Sequence, residues 1–471
     1  MFYFMTLSFI IMPALGCFLI GLVLAKSDRW TFSWILSLIG LVAFISSFWH
    51  IERADLWFML SYSFGPFLMG FGFTWDLSNK RRMQLLLLGL FFLIFFMILY
   101  YLIVRILNTA VVGCGAISDI YLENMIHHFD NLNVTACCAN HLEHAKTKAD
   151  AYGIKGCTYE EILKDPSIDM VVILTPAPTH EILIRQALEA GKHVYTEKTM
   201  TLSAQSAMNL QCLAKSKGLY LGSAPDTFLG AALQTARKAI DDGLIGEVTS
   251  FDICANRDLD YLSGVSPFLC MPGGGICYDY SVYHLTALVS LLGPVESVSA
   301  LVRNLAPQRT NTFPDSPTFG QKISYPNESQ VFSILKMEHE ITGTLSINGD
   351  SVIHDLAHFM IYGKKGILKL TDPNTFGGNV IFLPAQKNFE DHPAPEILNY
   401  GFSYEENSRG LGPSEMADAI FTKRESRTNA SLAIHVLDVI DHMVESSEKG
   451  AFVQIPTTCR RPEPLVRRNL F

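Results

Sequence analysis

The sequence predicts a doubly wound α/β domain built on a parallel sheet, then an α+β domain with a mostly antiparallel, open-faced sheet, both preceded by transmembrane helices. Three observations carry this expectation. Apolar stretches of membrane-spanning length crowd residues 1–105. From Leu107 to about residue 225, short apolar strands alternate with helices, the rhythm of a sheet wound on both faces. Beyond about residue 226, the period-two alternation of TGTLSING and a Gly-Lys-Lys-Gly turn mark antiparallel hairpins. The expected division is 1–105, 106–225 and 226–471.

The apolar stretches lie at about 2–25, 31–49, 56–75 and 83–104, each near the ~20 residues that cross a bilayer as a helix. Gly65-Pro66 interrupts the third, so three or four helices are expected. No basic segment precedes the first, which argues against a cleaved signal peptide. The spans carry no internal charge, which suggests an anchor rather than a pore. Lys26, Arg29, Lys80, Arg81 and Arg82 place the two basic loops inside. Four spans then send the following domain outside, and three keep it in the cytoplasm.

Of 471 residues, 36 are Lys or Arg and 45 are Asp or Glu, a net charge of −9. Residues 1–105 hold seven of the bases and four of the acids, so the remainder is more acidic than the whole. An acidic body excludes a phosphate-backbone partner, hence nucleic acid. Ten cysteines are scattered without a CxxC or any metal-ligand spacing. They read as free thiols in a reducing compartment, and no metal site is expected.

NTAVVGCGAISDIYLENM reads as strand, glycine turn and helix. Gly113 would make the turn and Gly115 would admit a pyrophosphate to the backbone, with Ala116 and Ile117 leading into the helix. The helix N-terminus offers free N–H groups and the positive end of a dipole. Ser118 stands at the third glycine position. This is a Rossmann-type dinucleotide module over 106–225. After the second strand, NVTACCAN, the ribose-binding position holds Ala139 and Asn140 instead of an acid. No arginine replaces it, so NAD and NADP both remain open.

The run TPAPTHEILIRQALEAGKHVYTEKTM is similar to the central signature of the Gfo/Idh/MocA oxidoreductase family. Thr175, Pro176, His180, Gly191, Lys192, His193, Val194, Glu197 and Lys198 match it. Ala177 stands where asparagine is usual, and Thr199 replaces the proline of Glu-Lys-Pro. PGGGICYDYSVYHLTALVSLLGP resembles the family's glycine-rich turn and catalytic helix, with Gly273–Gly275, Asp279, Tyr283 and then His284. On one helix Asp279 and Tyr283 share a face, whereas His284 is rotated about 100° from Tyr283. The resemblance covers about 107–465.

The resemblance implies a nicotinamide-dependent oxidoreductase moving a hydride to or from a carbinol or carbonyl of a sugar, polyol or inositol-like substrate. Lys198, Asp279 and Tyr283 would be catalytic, with His284 in reserve. Gly113, Gly115, Ala116, Ile117, Ala139, Asn140, Thr175, Pro176, His180, Glu197 and Lys198 would contact NAD or NADP. His180 is expected to shape the cofactor turn rather than move protons. A buried lysine has its pKa lowered by desolvation and could switch protonation near neutrality. Against these roles stand plainer ones: a surface lysine, a helix charge, and a packed tyrosine with a satisfied hydroxyl. His354, His358, His435 and His442 are given no role.

Two alternatives stay open: a glycosidase working through transient C3 oxidation, and a non-catalytic, membrane-tethered dinucleotide- or sugar-binding protein. The second domain would serve substrate binding and oligomerisation, its open sheet face favouring a homo-oligomer. A membrane-anchored protein with a cytoplasmic catalytic domain is the expected placement.

Overall fold

The computed structural model describes residues 106–465, without the side chains of 353–357. The three or four membrane helices predicted for residues 1–105 lie outside the described residues. Among the described residues, no helix is long and apolar enough to cross a membrane.

The first sheet is built from β1 (Leu107–Val112), α1 (Ser118–His127), β2 (Leu132–Cys138), α2 (Leu142–Tyr152), β3 (Lys155–Gly156), α3 (Tyr159–Lys164), β4 (Met170–Ile173), α4 (His180–Glu189), β5 (His193–Thr196), α5 (Ala204–Ser216) and β6 (Leu221–Ser223). All its pairings are parallel, in the order β3-β2-β1-β4-β5-β6. Every residue of β4 is buried, as a strand covered by helices on both faces must be. Capping fixes the helix ends. Thr158 and Glu161 form a capping box on α3, and α2 stops at Gly153 in the left-handed region. The strand order reverses between β1 and β4, which opens a crevice at their carboxyl ends.

The second part contains α6 (Ala231–Asp241), β7 (Val248–Asp258), α7 (Leu259–Val265), α8 (Ile276–Asp279), α9 (Ser281–Leu292), β8 (Val295–Arg303), β9 (Gln308–Thr310), β10 (Lys322–Ser324), β11 (Gln330–Met337), β12 (Thr342–Asn348), β13 (Asp350–Gly363), β14 (Gly366–Leu370), β15 (Val380–Pro384), β16 (Glu396–Leu398), α10 (Leu411–Thr422), α11 (Ala430–Lys449) and β17 (Val453–Gln454). Nine strands form one sheet in the order β16-β15-β14-β13-β7-β12-β11-β8-β17, while β9 and β10 make a separate ribbon. The nine-stranded sheet is antiparallel except where β7 meets β12 in parallel, so it is mixed. The Gly363–Gly366 turn closes the β13–β14 hairpin as expected.

One face of this sheet is covered and the other is open. Along β11, Val331 and Leu335 are buried, while Phe332 and Ile334 are exposed beside Leu301 of β8. All twelve residues of α9 are buried, matching its nearly uninterrupted apolar sequence. Helix α11 joins the two sheets. Its Asp441 accepts hydrogen bonds from the Ala204 N–H that starts α5 (2.8 Å) and from the Tyr278 hydroxyl on α8 (2.9 Å). The site helix and the first sheet are thereby tied through one carboxylate.

The sequence reading places Asp279 and Tyr283 one turn apart on a single helix, and the structure corrects it. Tyr280 (φ −114°, ψ −39°) separates α8 from α9. The Tyr283 N–H bonds to the Tyr280 carbonyl at 3.2 Å instead of reaching back to Asp279. The Asp279 carbonyl is left available to another donor.

Candidate active site

The glycine turn after β1 has the form a dinucleotide needs. Gly113 has φ +106°, and a Cβ there would come within 2.9 Å of the Leu174 carbonyl carbon and 3.0 Å of Thr175. Only glycine fits. Gly115 faces open space, with nothing within 4 Å of where a Cβ would stand, and Ala116 beside it is exposed. Ile117 begins the helix with no side-chain cap, so N–H groups of the first turn remain for an anion. Ser118 is buried, and its hydroxyl donates to the Gly115 carbonyl at 2.6 Å. A hydroxyl therefore braces the turn where the usual motif has a third glycine. Ala139 is half-buried and Asn140 exposed, immediately past β2. The cradle fits a dinucleotide: room lies where the phosphates would approach, and tight packing lies where they would not.

Thr175 and Pro176 follow β4, and the Thr179 hydroxyl donates to that of Thr175 at 2.7 Å. His180 is fully buried. Its Nε2 lies 2.6 Å from the Thr175 carbonyl and its Nδ1 lies 2.7 Å from the Thr199 carbonyl. The ring thus pins the cofactor turn to the chain just after Lys198. Burial pushes its pKa down, so the neutral ring donates to one of these carbonyls and packs against the other, in keeping with a structural role rather than proton traffic. Thr199, in place of the motif's proline, supplies one of these carbonyls.

Glu197 has both carboxylate oxygens occupied. One accepts from the Tyr121 hydroxyl on α1 at 2.7 Å, and the other from the Lys198 N–H at 3.0 Å. The carboxylate, expected in cofactor contact, is spent on fixing the backbone that presents the lysine.

Lys198 Nζ donates to the Asp279 carbonyl at 3.0 Å and makes a short ion pair with the Asp279 carboxylate. The two side chains are only 11% and 18% exposed. The break at Tyr280 is what makes this double contact available. Around the ammonium stand the rings of Tyr283, centroid at 5.2 Å, and Phe268, at 5.8 Å. Glu328 caps the short α8 by accepting from the Cys277 N–H at 3.0 Å. A Cβ on Gly275 would lie 2.0 Å from that carboxylate, so the last glycine of the triple is there to admit Glu328.

The electrostatics correct one expectation. Burial works to lower the Lys198 pKa, but Asp279, then Tyr283 and Glu197, outweigh it and raise the pKa above its ordinary value. Lys198 is held as an ammonium, because a carboxylate was buried with it. Burial pushes the Tyr283 pKa up, with Lys198 opposing, so its hydroxyl stays a donor. That hydroxyl has no partner among the described residues.

His284 is not part of this group. It is buried, its Nδ1 faces the Tyr280 carbonyl at 3.3 Å, and its ring lies edge-on to Tyr280 at 5.0 Å. Burial holds its pKa down to about 4, so it is a neutral packing residue. The resemblance also passed over Tyr121, Phe268, Glu328 and Arg409, which surround the site from distant parts of the chain. No motif spacing marks them.

A dinucleotide cradle at the reversal of a parallel sheet, with a buried Lys–Asp pair and a tyrosine from a second sheet domain, defines a nucleotide-dependent oxidoreductase scaffold. The comparisons agree. A family described as "Oxidoreductase family, NAD-binding Rossmann fold" matches residues 107–224, and the "GFO/IDH/MocA C-terminal domain" matches residues 233–369. Together they take in more than half of the chain, which belongs to the GFO/IDH/MocA oxidoreductases. The uncharacterized oxidoreductase YhhX of Escherichia coli (strain K12) is 29% identical over 301 residues, 63% of this chain and 81% of that one. Trans-1,2-dihydrobenzene-1,2-diol dehydrogenase of Bos taurus is 26% identical over 310 residues, 64% of this chain and 86% of that one. Levoglucosan dehydrogenase in complex with NADH and L-sorbose superposes with a TM-score of 0.65 at 18% identity. The match covers 75% of this chain and 100% of that one, and it shows the shared fold.

Proposed function

We propose that this oxidoreductase uses NAD to interconvert a carbinol and a carbonyl on a sugar, polyol or inositol-like substrate. The observation that carries this reading is the buried Lys198–Asp279 pair beside the unpartnered Tyr283 hydroxyl. Residues 106–225 hold the cofactor through Gly113, Gly115, Ala116, Ile117, Ala139, Asn140, Thr175 and Pro176, and residues 226–471 hold the substrate. Bound NAD supplies the hydride acceptor in oxidation, and its reduced form the donor in the reverse direction. Lys198 and Tyr283 donate hydrogen bonds to the reacting oxygen and stabilise its negative charge. In reduction, Lys198 gives a proton from Nζ to the forming hydroxyl, and Asp279 retains the orientation of the amine. In oxidation the same proton returns to the neutral amine. Glu197 and His180 set the position of Lys198 without touching substrate.

The levoglucosan dehydrogenase and the dihydrodiol dehydrogenase, as their names state, act on a sugar derivative and a cyclic diol, which supports this substrate class. The reading extends to residues 1–105 as a membrane anchor that keeps the catalytic part in the cytoplasm. It also extends to self-association through the open face around Leu301, Phe332 and Ile334. The test is NADH formation by the full-length protein across a panel of sugars, polyols and inositols. Steady NADH formation with matching carbonyl product supports the reading. No product from any member, by protein that binds NADH, contradicts it.

A further inference from the structure

A second cation, Arg409 on the turn before α10, lies close enough to Tyr283, Tyr121, Glu197 and Asp226 to interact with each. Arg409 Nη1 donates to Asn407 Oδ1 and Nη2 to Asn374 Oδ1, each at 2.7 Å. The segment that carries it is held rigidly. The buried Asn124 on α1 donates from Nδ2 to the carbonyls of both Asn407 and Arg409, at 2.8 Å each. Arg409 therefore sits between the helix that starts at the cofactor turn and the loop that follows β14. Burial opposes its charge, yet interactions with Tyr283 first, then Tyr121, Glu197 and Asp226, raise its pKa. Its charge is felt by the Tyr283 hydroxyl.

Arg409, like Arg257 and Arg303, is not neutralised by a carboxylate among the described residues, whereas other arginines are. Arg237, Arg309, Arg424 and Arg427 each ion-pair with Asp or Glu. Arg409 makes no ion pair among the described residues and is oriented by two neutral amide oxygens. Glu197 and Asp226 act on Arg409 through space, but neither is within ion-pair distance of it among the described residues, and each is held by other partners. Glu197 is taken by Tyr121 and the Lys198 N–H. Asp226 accepts from the Gly412 N–H at 2.8 Å, and its pKa is raised to about 6, burial being the main cause.

We infer that Arg409 binds an anionic oxygen group, a carboxylate or a phosphate, carried by the substrate whose carbinol meets Lys198 and Tyr283. The substrate class narrows to anionic polyhydroxy compounds such as sugar acids or sugar phosphates. The guanidinium is the side chain suited to this, since its planar fork matches both groups and stays charged when half-buried. Asn374 and Asn407 fix the fork in advance, which reduces the ordering cost on binding. This inference rests on the hydride-transfer reading.

The test compares kcat/KM of the full-length protein with NAD on matched triads: glucose, glucuronate and glucose 6-phosphate, and the galactose counterparts. An anionic member should exceed its neutral parent by roughly ten- to hundredfold, the range of a charged hydrogen bond. Preference for glucuronate identifies the carboxylate, and preference for the phosphate identifies the other source. In Arg409→Gln that preference should collapse toward one, and Arg409→Lys should restore part of it. NADH binding by the variants checks that the cleft has kept its shape. A wild type that oxidises neutral sugars as well as charged ones overturns this inference alone. So does an Arg409→Gln variant that loses both activities in equal proportion. Failure to oxidise any member overturns the hydride-transfer reading with it.

Discussion

Lys198 reaches Asp279 twice, through the backbone carbonyl at 3.0 Å and through the carboxylate. The second contact is a charge pair; the first exists because the helix breaks at Tyr280 and frees a carbonyl. The ammonium is fixed in direction as well as in charge, which is what a donor to a developing alkoxide requires. The raised pKa gives a kinetic sign. Reduction uses the protonated amine, which persists through and above neutral pH. Oxidation needs the neutral amine, a minor form that grows tenfold per pH unit. Initial rates of oxidation should climb with pH up to the alkaline limit of the protein, while reduction rates should stay level from about pH 6 to 9. Asp279→Asn should shift the oxidation profile to lower pH, since the largest raising influence is removed.

The two glycines of the cofactor turn should fail differently. Gly113→Ala places a side chain against Leu174 in a left-handed conformation, so thermal unfolding should show a loss of about 1–3 kcal/mol. Gly115→Ala meets open space. It should leave the melting temperature near the parent's while weakening NADH affinity, read by fluorescence titration.

His180→Ala would leave one of the Thr175 and Thr199 carbonyls without its buried donor and open a gap beside the other. The expected cost is on the order of 1–3 kcal/mol in denaturant unfolding. NADH affinity should fall as well, because the cofactor turn loses its tie to the Lys198 segment.

Asp226 gives a pH signature in stability. Its folded pKa is about 6 against an ordinary 3.8, mainly from burial. The folded state therefore holds the proton more tightly than the unfolded chain. The contribution is complete below pH 3.8 and is lost as pH rises through 6. Asp226→Asn removes this titration, so the variant should gain on the wild type by on the order of 2–3 kcal/mol between pH 4 and pH 8. Unfolding curves at the two pH values measure it.

On the open sheet face, Leu301 and Phe332 pair across β8 and β11 while exposed. If this face is an interface between copies, Phe332→Lys should lower the mass seen in sedimentation and leave a monomer that still binds NADH.

Much of the fold was legible because its signals are local. The Gly113 turn, the all-apolar β4 and the Gly-Lys-Lys-Gly hairpin each declare themselves within a few residues. Lys198, Asp279 and Tyr283 could be singled out because they sit inside contiguous motifs, and the fold brings them together; the rotation of His284 away from Tyr283 follows from helix geometry. The sign of the Lys198 shift was not legible, since it depends on the distance to a residue 81 positions away. Glu328 and Arg409 escaped for the same reason: one caps α8 from 51 positions downstream, and the other is anchored to α1 across 285. The departures at Thr199 and Ala139 look damaging on paper. In the fold, Thr199 still offers its carbonyl to His180, and the Lys198–Asp279 pair forms regardless.

The most direct test of the central claim is the rate of NADH formation by the full-length Lys198→Met variant beside the wild type, with NADH affinity measured on the same samples. The account predicts a fall of roughly 10²–10⁴-fold in kcat with affinity within a few fold of the wild type. A variant that turns over as fast as the wild type would show that the Lys198–Asp279 pair is structural and that the chemistry lies elsewhere.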